Sequence, residues 1–251
     1  MSRPGSLLGP SGVPLPRRRA LRTLRPPARW LFRRLGPVRV HDAHQVPAEG
    51  PVIVAANHIG VIDGPYLAAF TPRPVHALTK IEMFQGKAGA FFRWTGQVPL
   101  DRFHTDPAAV KISLALLQAG ACVGIFPEGT RGAGDLARFH RGAAYLAMVS
   151  GAPVVPVTFV GTRAPGAGSS ALPKRGGVVD IVFGAPWRVD AQPWPRTREQ
   201  VGAKTALLQE HMVAGLAAAL SQIGRELPGP LPGSPGTSEH DGAEHAHGRG
   251  A

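Results

Sequence analysis

The sequence predicts an α/β fold in a single domain: a central, mostly parallel or mixed sheet flanked by helices and preceded by a short basic amphipathic helix. Three observations point there. From Val38 onward, short apolar runs alternate with helical patterns, which is how strands and their connecting helices read in sequence. Polar clusters recur just after those runs, where open α/β sheets gather their ligands. The chain has 251 residues, 43% of them hydrophobic, enough to bury one substantial core.

Taken in order, residues 1–16 are rich in Pro, Gly and Ser and read as a disordered arm. Residues 17–37 form a basic, membrane-proximal segment interrupted at Pro26-Pro27. After the prolines, Ala28, Leu31, Phe32 and Leu35 fall at i, i+3, i+4 and i+7, with Arg29, Arg33 and Arg34 on other faces. Such a helix either packs on the domain with its basic face solvated or lies in a membrane interface. The domain proper is expected over 38–226. Its strands are Val38–His41, Val52–Ala56, Val75–Thr79, Gln97–Leu100, Cys122–Phe126, Val154–Val160 and Val178–Phe183. The clearest helix runs from Pro107 to Ala119, with Asp106 as N-cap, Pro107 in the first turn and Gly120 beyond its end. Others are expected near Gly64–Phe70, Arg141–Val149 and Arg198–Gly224, with a long loop over Thr162–Gly177. From Leu227 the Gly, Pro, Ser and His content reads as a disordered tail over 227–251, so His240, His245 and His247 read as solvated rather than as metal ligands.

Charge and cysteine content narrow the function. The net charge is +12, but residues 1–40 hold ten arginines and no acid, which leaves +2 for the rest. A basic arm meets anionic lipid as readily as nucleic acid, and interleaved aromatics or a recognition module for nucleic acid are missing, so an anionic membrane surface is the expected partner. Cys122 is the single cysteine; it sits in an apolar run, excludes an internal disulfide and belongs to the core. No apolar stretch reaches the roughly 18 residues of a membrane span, and no signal-type h-region follows the arginines.

Asn57-His58, Lys80, Asp101-Arg102 and Glu128-Gly129-Thr130-Arg131 each follow an expected strand, and parallel strands would bring them to one edge of the sheet. His58 and Asp63, five residues apart, would face apart on a regular helix. A turn through Gly60 is therefore required, with Asp63 as N-cap of the following helix and its carboxylate meeting the imidazole. Such a pair orients a general base for a hydroxyl nucleophile. Lys80 and Glu82 are weaker candidates.

Asn57-His58-Ile59-Gly60-Val61-Ile62-Asp63 resembles the Asn-His-x4-Asp block of the glycerolipid acyltransferases, the family of 1-acylglycerol-3-phosphate acyltransferase. Three further blocks follow in order. Gly96-Gln97-Val98-Pro99-Leu100-Asp101-Arg102 looks like the second, Phe126-Pro127-Glu128-Gly129-Thr130-Arg131 is similar to the third, and Ala152-Pro153-Val154-Val155-Pro156-Val157 resembles the fourth. The resemblance implies His58 as catalytic base oriented by Asp63. It makes Arg102, Glu128, Gly129, Thr130 and Arg131 binding residues for the acceptor's glycerol phosphate, and Arg suits a phosphate because its guanidinium donates as a fork. It also implies acyl-CoA or acyl-carrier protein as co-substrate, no metal or resident cofactor, and lysophosphatidate as acceptor. The expected location is cytoplasmic, peripheral on the inner face of the cell membrane. The same motifs would serve another lysophospholipid or a glycolipid, and a catalytically silent lipid-binding scaffold is the alternative from another class.

Overall fold

A computed structural model describes residues 19–233. The arm and the three tail histidines lie outside the described residues. All seven expected strands are present, with ends within one residue of those read from the sequence. They are β1 (Val38–His41), β2 (Val52–Ala56), β3 (Val75–Lys80), β4 (Val98–Leu100), β5 (Cys122–Ile125), β6 (Val154–Val160) and β7 (Val179–Phe183). Gln97 falls outside β4; its side-chain oxygen accepts the Ala77 amide of β3 at 2.8 Å.

The sheet is mixed, in the order β1-β7-β6-β2-β5-β3-β4. β6, β2, β5, β3 and β4 are mutually parallel. β7 runs antiparallel to β6 and carries β1 beside it in its own direction. Every residue of β2, β5, β6 and β7 is buried, as continuous Val/Ile runs covered on both faces require. One face carries α4 (Pro107–Gln118), α5 (Gly142–Ser150) and α6 (Arg198–Ile223), whose Leu116, Ala147 and Leu208 meet Ile53 and Val123. The other carries α2 (Asp63–Phe70), whose Tyr66 and Phe70 meet Val54 and Phe159, and against α2 lies α1 (Arg19–Leu35). Asp106 caps α4 as expected, accepting the Ala109 amide at 2.9 Å. α6 opens with a full capping box of Thr197 and Gln200 and closes on the left-handed Gly224.

Three expectations are corrected. α1 is one helix running through Pro26 and Pro27, not a segment beginning after them. The prolines forgo helical bonds to the carbonyls of Arg22 and Thr23, both on exposed residues that water reaches. Tertiary anchoring then holds the helix. Arg25 donates to the Thr71 carbonyl, and Arg29 donates to those of Ala69 at 2.6 Å and Thr71 at 3.3 Å. These are carbonyls at the C-terminal end of α2, the negative end of its dipole, so Arg29 is not part of a solvated basic face. Burial, with the charge of Arg29 adding to it, lowers the Arg25 pKa to about 10. Second, a helix α3 (Gly86–Trp94), not expected from sequence, follows a short 3-10 turn over Ile81–Phe84. Third, the chain stays packed beyond Leu227: Leu227 covers the core and the Gly229 carbonyl accepts a bond from Arg163. No described helix is long and apolar enough to cross a membrane.

Candidate active site

Because β2, β5, β3 and β4 are parallel, the loops after them meet at one edge of the sheet, and the four polar clusters come together there. After β2 the chain turns through His58-Ile59-Gly60 and enters α2. Asp63 is the first residue of that helix, Ile62 being its N-cap, and the Asp63 side chain does not cap α2. It reaches backwards instead. Its Oδ2 accepts from His58 Nδ1 at 2.8 Å and from the backbone N–H groups of Ile59 at 2.8 Å and Gly60 at 2.9 Å. One buried carboxylate oxygen thus fixes both the loop and the ring, and a carboxylate partner requires Nδ1 to carry the proton. Nε2 is left as the ring's acceptor, on a side chain that is 20% exposed. The ring also stacks on Phe126 at 4.3 Å between centroids. Gly60 is needed for close approach rather than for a left-handed turn, since a Cβ there would lie 2.9 Å from the Thr162 carbonyl oxygen.

The third block holds His58 by its backbone. The His58 N–H donates to Glu128 Oε1 at 2.9 Å, and the His58 carbonyl accepts the Gly132 N–H at 2.9 Å. Glu128 is buried behind the loop and is not on the wall of the adjoining cavity. Burial pushes its carboxyl up to about 7; the His58 amide opposes this, and the nearby charges of Asp135 and Asp63 assist it. Gly129, at φ 69°, closes the turn after β5. Its carbonyl accepts Arg102 Nη1 at 2.9 Å, which brings the second block onto the third. Arg131 donates to the Ser169 carbonyl at 2.9 Å, across to the long loop after β6.

His58 opens onto a cavity of about 840 Å³. Gly129, Thr130, Arg131 and Arg102 line it near the histidine, and Lys80 joins them. The rest of the lining is mostly apolar and includes Leu24, Ala28 and Phe32 of α1 and Phe91 and Phe92 of α3. Among the described residues, the cavity's charged wall residues are all basic: Arg25, Lys80, Arg102 and Arg131. Such a lining suits a ligand that joins an anionic group to a hydrocarbon chain. Cys122 is buried in β5, where burial pushes the thiol up to about 12, so a thiolate nucleophile is absent at neutral pH.

Sequence reasoning gave no role to Asn57 and did not single out Arg163, two residues that build this site. The buried Asn57 side chain accepts the Phe159 amide at 2.7 Å and donates to the Phe159 carbonyl at 3.2 Å, locking the end of β2 to β6. Arg163, fully buried, donates to the carbonyls of Ile59, Gly132, Ala167 and Gly229. It ties the first block, the third block and the C-terminal segment together, and its cation lies near Asp63. The available signal was an arginine in Gly161-Thr162-Arg163, just beyond the mostly apolar strand β6 and so close to the common sheet edge.

The acyltransferase family model matches residues 37–160, which contain the first three blocks and the fourth. A 1-acyl-sn-glycerol-3-phosphate acyltransferase of Bacillus subtilis is 32% identical over 180 residues, 70% of this chain and 87% of that protein. One of the same name from Pseudomonas aeruginosa is 27% identical over 214 residues, 81% of this chain and 78% of its own. Among solved structures, the 1-acyl-sn-glycerophosphate acyltransferase of Thermotoga maritima superposes with a TM-score of 0.61, covering 79% of each chain at 21% identity, a likeness of fold. With the ordered blocks, the sheet and these relatives in agreement, the chain belongs to the acyltransferase family, a family of O-acyltransferases.

Proposed function

We propose that this enzyme transfers a fatty acyl group from acyl-CoA or acyl-carrier protein to the free hydroxyl of 1-acylglycerol-3-phosphate, making phosphatidate at a membrane surface. The observation that carries the reading is the pairing of a carboxylate-held histidine with a cavity whose charged lining is basic and whose remaining lining is mostly apolar. The relatives' names supply the acceptor.

In this mechanism His58 Nε2 takes the proton from the acceptor hydroxyl as its oxygen attacks the thioester carbonyl. Asp63 holds the tautomer and stabilises the imidazolium that forms. When the tetrahedral intermediate collapses the carbon–sulfur bond breaks. The thiolate, of pKa about 8.5, leaves readily and recovers a proton from the imidazolium or from water. Arg102 and Arg131, with the backbone at Gly129 and the Thr130 hydroxyl, bind the acceptor phosphate, while Glu128 serves by holding the His58 main chain. Attachment to the bilayer is peripheral.

Thiol release from palmitoyl-CoA, measured with and without lysophosphatidate and with the lipid product identified by mass, tests this. Acceptor-dependent release yielding phosphatidate, lost by a factor of roughly 100 to 10,000 in His58→Ala, is the expected result. Release without an acceptor would make the enzyme a hydrolase, and transfer to a different lysolipid or a glycolipid would replace the acceptor. Silence with every donor and acceptor would leave a lipid-binding scaffold.

A further inference from the structure

The segment between β3 and α4 exposes an apolar surface that none of the described residues covers. α3 buries a single residue, Gly89, whose missing side chain lets the helix lie on the Phe84 backbone; a Cβ there would sit 2.1 Å from the Phe84 carbonyl. The helix is therefore pressed onto the preceding turn by a glycine, with Phe92 packed on Phe84 at 5.7 Å between centroids while Phe91 and Trp94 stay half exposed. Phe91 and Trp94 pair with each other at 6.3 Å between centroids yet are 50% and 47% exposed. Ile81 on the preceding turn is 48% exposed, and Phe103 on the β4–α4 loop is 77% exposed. A helix that leaves its large apolar residues in water requires another partner.

Two further observations identify that partner. The same segment forms one lip of the cavity, since Lys80, Met83, Phe91, Phe92 and Arg102 line it. The patch is therefore continuous with the mouth through which a substrate enters. Lys80, Lys87, Arg93 and Arg102 surround it, and among the described residues none of them is in an ion pair. Of the three acids in the segment, Asp101 is engaged by His104 Nδ1 at 2.8 Å and by the Phe103 amide at 2.8 Å, Asp106 accepts the Asp101 and Ala109 amides, and among the described residues only Glu82 has no such bond. Aromatic side chains framed by unpaired cations match the headgroup boundary of an anionic bilayer, where a ring is half wet and a cation meets phosphate.

We propose that the surface bearing Ile81, Trp94 and Phe103, ringed by Lys87, Arg93 and Arg102, seats the mouth of the cavity on an anionic lipid surface. Contact here lets a lipid pass from the leaflet to His58 without crossing water, and in that respect the proposal rests on the reading of the cavity as a lipid acyl-transfer site. The attachment point is then the lip of the cavity, in addition to any hold exerted by the arginine-rich N-terminal arm.

The test uses the full chain and vesicles of phosphatidylcholine with or without phosphatidylglycerol, comparing wild type with the triple variant Ile81→Ser, Trp94→Ser, Phe103→Ser, none of whose positions lines the cavity. The variant is expected to partition roughly tenfold or more weakly onto the anionic vesicles. Transfer to vesicle-embedded acceptor should fall with binding, while transfer to a monomeric short-chain lysophosphatidate and the unfolding midpoint stay at wild-type values. Brominated-lipid quenching of tryptophan emission should fall in Trp94→Phe. Wild-type binding by the triple variant, undiminished quenching in Trp94→Phe, or equal loss of transfer to the soluble acceptor would each overturn the proposal. Weakened vesicle binding in a protein that transfers to no acceptor would uphold the docking surface and defeat the acyltransfer reading alone.

Discussion

At His58 the hydrogen bonds divide into those that set the ring and those that set the main chain. Asp63 does the first, and its reach was legible because partner and histidine lie five residues apart, within one turn of chain. Asp63→Asn keeps the volume but puts an amide where a full charge met the ring. Turnover is expected to fall roughly 100-fold or more with little change in KM, since Asp63 is not on the cavity wall; steady-state kinetics decide it. Glu128 does the second, and its part was not legible: the motif pairs it with substrate, whereas its carboxylate is bound to an amide 70 positions away in sequence. A carboxyl raised from 4.5 to about 7 contributes stability that is fully present below pH 4.5 and is lost as pH rises through about 7. The loss is on the order of 3 kcal/mol by the end of that window. The unfolding midpoint of wild type relative to Glu128→Gln should therefore decline from pH 5 to pH 8, and parallel curves would place the Glu128 pKa in the ordinary range. Arg163 belongs to the same scale. Arg163→Ala leaves several buried carbonyls without their donor, so unfolding free energy is expected to drop by about 3 kcal/mol or more, with Arg163→Lys recovering part of it.

At the scale of elements, the strands were readable because buried parallel strands are continuous Val/Ile runs, and α4 because its cap, first-turn proline and terminal glycine are local signals. α1 and α3 were misread or missed because their reasons to exist are tertiary. α1 survives two prolines through Arg25 and Arg29 on α2 and through Phe32, stacked on Tyr66 at 4.6 Å. α3 has no apolar stripe facing the core to announce it. The loops that meet at the sheet edge are fitted as closely as the core. Gly134, at φ 77°, lies where a Cβ would be 2.2 Å from Ile59 Cγ2 and 3.0 Å from Asn57 Nδ2. Gly134→Ala should displace the loop that carries His58, costing about 1–3 kcal/mol and lowering turnover more than it raises KM. Denaturant unfolding alongside kinetics reads both; an alanine variant with wild-type turnover would mean that the third-block loop does not govern the position of His58.

Over the whole molecule, ten arginines fall within residues 1–40, where Trp30, Leu31 and Leu35 are exposed beside them, and a second set of exposed aromatics lies on α3 and the β4–α4 loop beside the cavity. The uneven charge was visible in sequence, but the position of the aromatics relative to the cavity was not, since that follows from how α3 is pressed onto its neighbouring turn. Removing residues 1–36 would not isolate the arm's contribution. It would also strip Leu24, Ala28 and Phe32 from the cavity wall and uncover Tyr66 and Phe70, so lower stability and lower transfer even to a soluble acceptor are expected from that deletion. Salt separates the two contributions without cutting the chain. Screening shortens the reach of charge from about 10 Å at 0.1 M to about 3 Å at 1 M, while burial of apolar surface persists. Each arginine near an anionic surface contributes about 1 kcal/mol at moderate salt. Vesicle binding by wild type should therefore weaken between those two salt concentrations and level off above zero. Replacing Arg17, Arg18, Arg22 and Arg34 by Gln should bring low-salt binding close to that level and flatten the salt response. Binding that vanishes entirely in high salt would assign the whole attachment to charge and leave the exposed aromatics without a part in it.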